Sequence, residues 1–120
     1  MSGSFLNLGG NAGAMSRSTP ARVLDTTFQP NAARPVLVMY SIRIILVAAT
    51  DRAQARILSD KGSPPTTVVS RFGGGIGSIA EVYEGVLVAL VLPGDNVRIE
   101  TQIVAGAPAV QLIAQSEVVL

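Results

Sequence analysis

The chain has 120 residues, with nine basic and eight acidic side chains, a net charge of +1, and neither histidine nor cysteine. Disulfides, thiolate nucleophiles, imidazole bases and the usual zinc ligand sets are thereby excluded, and the balanced charge argues against nucleic acid as the main partner. Charged residues make up 14% of the chain, hydrophobic residues 48% and aromatic residues 4%, whereas soluble domains average about 25% charged.

The excess is therefore Val, Ile, Leu and Ala. A chain of this length forms one domain and buries roughly 60–70% of its unfolded surface. That interior is too small to hide all the aliphatic side chains, so several faces are expected to be covered by copies of the chain or by another protein.

Residues 1–34 read as an extended N-terminal arm. Met1 to Ala14 carries four glycines and no charge, interrupted by the apolar cluster Phe5, Leu6 and Leu8, a pattern of docking anchors or disorder more than of core. Arg17, Arg22 and Arg34 are the arm's basic residues. Pro20, Pro30 and Pro35 bias their predecessors toward extended conformations and break any continuous helix. Within the arm, Val23 to Phe28 has the composition of an edge strand. No basic region followed by an apolar run marks a secretory signal, so a cytosolic setting is expected.

From residue 35 to 120 the pattern is a β-sandwich. Val36 to Val47 alternates Tyr40, Ile42 and Ile44 against Ser41 and Arg43; Ser41 and Arg43 also break the apolar stretch before it reaches the roughly 20 residues of a spanning helix. Ala53 to Leu58 sets Ala53, Ala55 and Ile57 against Gln54 and Arg56. Helix propensity competes over Asp51 to Asp60, but strand neighbours favour a strand. Thr66 to Phe72 is β-branched between Pro64-Pro65 and a glycine run. Val82 to Leu92 ends at the turn signal Pro93-Gly94-Asp95. Val97 to Ile103 alternates strictly, and Val110 to Leu120 closes the chain. Turn chemistry at nearly every joint predicts an all-β, antiparallel β-sandwich or jelly roll.

Catalytic chemistry finds no foothold. Gly73-Gly74-Gly75-Ile76-Gly77-Ser78 lacks the lysine of a phosphate loop and the strand–helix context of a dinucleotide site, so it reads as a strand connection. Glu81 and Glu84 fall on opposite faces of a strand, and Asp95 belongs to a turn. Lys61 lies in an exposed turn, and a serine nucleophile would lack a histidine base. No catalytic, cofactor-binding or metal-ligating residue is assigned, and the chain is expected not to be an enzyme.

Ser18-Thr19-Pro20-Ala21-Arg22-Val23-Leu24-Asp25-Thr26-Thr27-Phe28-Gln29-Pro30, followed by Arg34-Pro35-Val36-Leu37-Val38-Met39-Tyr40-Ser41, is similar to a segment of small virion proteins of tailed bacteriophages. Val69-Ser70-Arg71-Phe72 ahead of glycines and the ending Gln115-Ser116-Glu117-Val118-Val119-Leu120 resemble that group as well. The resemblance implies a jelly-roll body, a homotrimer and a structural role without catalytic residues. It leads to the expectation of a capsid decoration, or cement, protein. Such a protein is assembled in the host cytoplasm and carried on the exterior of the phage head against the major capsid protein, with no nucleic acid or membrane partner. Phe5, Leu6, Leu8, Arg17, Arg22, Val23, Leu24 and Phe28 are the expected capsid contacts of the arm. The alternative is a tail-fibre or receptor-binding module that recognises a host-surface glycan, a role that usually calls on exposed aromatic side chains.

Overall fold

The computed structural model describes residues 14–74 and 81–120. They form eight strands: β1 (Ser16–Ser18), β2 (Thr27–Phe28), β3 (Val36–Ile45), β4 (Arg52–Asp60), β5 (Val68–Gly74), β6 (Val82–Val91), β7 (Asn96–Ala105) and β8 (Ala109–Val119). Two antiparallel sheets result, in the orders β1-β8-β3-β6 (sheet A) and β2-β7-β4-β5 (sheet B). Strand 1 pairs with 8, 2 with 7, 3 with 6 and 4 with 5, while β8–β3 and β7–β4 complete each sheet. This nested pairing is that of a jelly roll, as the sequence led us to expect.

β3, β4 and β7 follow the alternation that predicted them. Val36, Val38, Tyr40, Ile42 and Ile44 of β3 are all buried, facing Ala53, Ala55 and Ile57 of β4 and Val97 and Ile99 of β7 across the core. Burial of one face also decides the Asp51–Asp60 segment. As a strand it points Ala53, Ala55 and Ile57 inward together, and that tertiary gain overrides helix propensity.

Residues 14–34 supply an edge strand to each sheet. β1 pairs Ser16, Arg17 and Ser18 with Val119, Val118 and Glu117, and β2 pairs Thr27 and Phe28 with Arg98 and Val97. The edge strand expected over Val23 to Phe28 is thus confined to its last two residues. Phe5, Leu6 and Leu8, like the glycine run beyond Gly74, lie outside the described residues.

Two glycines are required by close approach. A Cβ on Gly85 of β6 would lie 2.5 Å from the ring of Phe72, which reaches over from β5 of the opposite sheet. Gly106, in the β7–β8 turn, has φ +75°, and a Cβ there would meet the Asp51 carboxylate. That carboxylate accepts from the amides of Val47 and Ala48 (2.8 and 3.0 Å) and of Ala107 (3.2 Å), tying two turns at one end of the sandwich. Its backbone donors, those of Ala48 and Val47 foremost, hold its pKa below the ordinary aspartate value. At the other end, Asp60 accepts from the amides of Gly62, Thr66 and Thr67 and from the Thr67 hydroxyl. Lys61 bridges from that loop to Asp95 at 2.6 Å in the β6–β7 turn.

Candidate interaction surfaces

β8 carries a glutamate at an inward register position, opposite Val38 of β3. A carboxylate there must be paired and hydrogen-bonded to be tolerated. Arg22 donates to Glu117 through Nε and Nη2 at 2.7 and 2.8 Å, and the Tyr40 hydroxyl donates at 2.6 Å. The guanidinium lies 4.1 Å above the ring of Phe28, and Phe28 meets Tyr40 edge-on at 6.4 Å. Hydrogen bonding to Glu117 raises the Arg22 pKa against the opposing effect of burial. Burial, and then the bond to Glu117, pushes the Tyr40 hydroxyl upward.

The chain that delivers Arg22 is fixed on both sides. Leu24 packs against the core. Asp25 adopts φ 59° and accepts from the amide and hydroxyl of Thr101 at 2.8 and 2.7 Å. Arg34 then clips the two ends of the described chain together, donating to the carbonyls of Leu120 (2.7 Å) and Ala14 (2.9 Å).

The expected arm contacts therefore divide. Arg22, Leu24 and Phe28 engage the sandwich itself, whereas Arg17 on β1 and Val23, 65% exposed, face outward. Glu117 and Tyr40 were not assigned a role from sequence. The available signal was an acidic side chain two residues from Val119 in a strand whose alternate positions turn inward.

The outer faces of the two sheets differ in chemistry. On sheet B, the Arg56–Glu100 ion pair at 2.6 Å and the Gln54–Gln102 hydrogen bond run across β4 and β7. Beside them a cleft of about 400 Å³ opens over Leu58, between Pro64–Thr66 and Arg98. The one carboxylate lining it, Glu100, is committed to Arg56, so the cleft offers a polar recess but no acid–base pair. Among the described residues no group of three or more acidic side chains is placed to share a metal ion.

Sheet A presents the reverse. Val82, Val86, Val88 and Leu90 of β6 are 49–57% exposed on its outer face. Leu37 and Met39 of β3 stand directly beside Leu90 and Val88. A register shift opposite Ser41 and Ile42 leaves Ile113 of β8 as an extra residue, 40% exposed. The Arg43–Glu84 pair at 2.7 Å separates Val82 from Val86, Val88 and Leu90 on that face.

Comparison with protein-family models gives no match for this chain, and comparison with curated proteins finds no relative.

Proposed function

We propose that the protein is a structural virion component: a decoration or cement protein that binds as a trimer to the head of a tailed phage and stabilises the shell against the major capsid protein. The carrying observation is the convergence of Arg22, Phe28, Tyr40 and Glu117. All four lie in the segments that resemble phage virion proteins, and together they lock residues 14–34 onto a rigid jelly roll. The Arg34 clip fixes Ala14 beside Leu120, so whatever residues 1–13 contact is tethered to the body at one defined point. Several tethered segments on one rigid assembly bind with an effective concentration that no single segment reaches, which suits a protein that must stay on a shell.

The aromatic side chains of the described residues also favour this reading over a glycan-binding tail module. Tyr40 and Phe28 are in the Glu117 cluster, Phe72 covers Gly85, and the Tyr83 hydroxyl donates to Glu81 at 2.6 Å.

The test is to incubate the purified protein with undecorated phage heads and, separately, with phage tails, and to image both. Density at regular positions on the shell is expected, with occupancy falling when residues 1–13 are deleted, a cut that leaves β1 intact. Density confined to the tail, or none on either structure, would sink the proposal.

A further inference from the structure

Natural sheets guard their edges by keeping them short, charged, bulged or covered. β1 and β2 are three and two residues long, and β5 ends in glycines. β6 breaks the pattern. It is ten residues long, and from Gly85 to Leu92 it has neither charge nor proline. β1 pairs only with Glu117 to Val119, so among the described residues no strand covers that edge of β8 over residues 109–116. Among the described residues sheet A thus has two open edges flanking an outer face that is apolar around Val86, Val88 and Leu90, while sheet B is laced with polar pairs.

We infer that the outer face of sheet A, centred on Val86, Val88 and Leu90, is where this chain packs against further copies of itself around a three-fold axis parallel to the strands. The inference rests on the reading above and names the surface that makes its trimer. Geometry favours three copies. With about 4.8 Å between strands, three to four strands make a face about 14–19 Å wide. Three faces of that width, closed into a triangle, each lie about 4–6 Å from the axis, which matches half the ~10 Å spacing of packed sheets. The side chains of Leu37, Met39, Val86, Val88 and Leu90 are then the right length to fill the centre without a channel. At each corner the β6 edge of one copy meets the open β8 edge of the next. That contact is head-to-tail and closes as a ring.

Area is consistent with this. The face of β8, β3 and β6 covers about 450 Å² in plan from strand spacing and rise, within the roughly 300–600 Å² of the largest patch on a typical monomer, which is often functional. The corner contacts add to it toward the ~800 Å² per partner of a stable interface.

Sedimentation equilibrium on the full chain tests the assignment. The wild type is expected at three times the 12.4 kDa chain mass, Val88→Lys at the chain mass, and Gln102→Lys on sheet B at the wild-type mass. A wild type that stays monomeric, or one whose face is met only by a different protein, overturns the inference, as does a Val88→Lys chain that remains trimeric. Should Val88→Lys not fold, Val88→Cys in this cysteine-free protein decides: the thiol must alkylate several-fold more slowly than that of Gln102→Cys, and equal rates overturn the assignment. Head binding is scored separately. A trimer that dissociates with Val88→Lys yet never binds heads would defeat the cement reading and leave the trimer face standing.

Discussion

Glu117 is gripped by both ends of the Arg22 guanidinium fork across 95 positions of sequence. Between them they join the last long strand to the segment that precedes β2, and Tyr40 from the central strand of sheet A completes the set. Residues 22–34 thus staple the N-terminal segment to the fold. Arg34, from the same segment, repeats the device at the chain ends.

Removing one member of this set should be costly, because the partner is left charged in a buried place. Glu117 is 4% exposed and Arg22 19% at the side chain, so Arg22→Ala is expected near the lower end of the roughly 3–5 kcal/mol lost when a buried pair is broken. Replacing both, as Arg22→Met with Glu117→Leu, should restore much of that loss, since no charge is then stranded. Tyr40→Phe removes one donor and is expected to cost about 1 kcal/mol. Urea denaturation of the wild type, Arg22→Met, Glu117→Leu and the double variant measures the coupling; additive losses would mean that the bidentate pair contributes nothing.

Much of the fold was legible because burial of one sheet face writes a period of two into the chain. β3, β4 and β7 were readable residue by residue from Tyr40-Ile42-Ile44, Ala53-Ala55-Ile57 and Val97-Ile99. β1 was not, because Ser16-Arg17-Ser18 is exposed and carries no apolar signal; only its pairing with β8 makes it a strand. The Glu117 cluster was hidden for a related reason. A buried carboxylate looks like a surface one until its register and its distant partners are known, and neither is local. The contrast between the outer faces was foreshadowed by the aliphatic excess, but placing that excess on β6 required the sheet order.

Gly85 gives a packing prediction that no alternation pattern contains. A Cβ there would fall 2.5–2.9 Å from three atoms of the Phe72 ring, so Gly85→Ala forces the ring out of the space between the sheets. A loss of about 1–3 kcal/mol is expected, as for other overpacked cores. Pairing it with Phe72→Leu should recover part of the loss by removing the obstructing ring edge. If Gly85→Ala melts at the wild-type temperature, the ring does not close this side of the sandwich.

At the two ends of the sandwich, Asp51 and Asp60 are held below their ordinary pKa by backbone amides. A carboxylate with a folded pKa below its unfolded value adds stability that is fully present above about pH 4 and is lost as pH falls through the folded value. Stability should therefore decline on acidification below about pH 4, as those loops lose their acceptors. Asp60→Asn should be less stable at neutral pH and should lose less on going to acid, because that residue no longer titrates. Parallel denaturation series for the two proteins check this, and curves of identical shape would count against it.

The alkaline limb has the opposite sign, and its buried source is the Tyr40 hydroxyl. The Tyr40 hydroxyl is buried and donates to Glu117, so its folded pKa lies above the unfolded value. A group of this kind adds stability that is intact below its unfolded pKa, about 10 for tyrosine, and is lost as pH rises beyond it, because the unfolded chain deprotonates first. The wild type should accordingly weaken above about pH 10, while Tyr40→Phe, less stable at pH 7, should show a flatter decline over the same range. Tyr83 also donates to a carboxylate, Glu81, and that bond raises its pKa; Tyr83→Phe is therefore the necessary companion. If Tyr83→Phe flattens the alkaline limb and Tyr40→Phe does not, the alkaline linkage belongs to the start of β6 and not to the staple at Glu117.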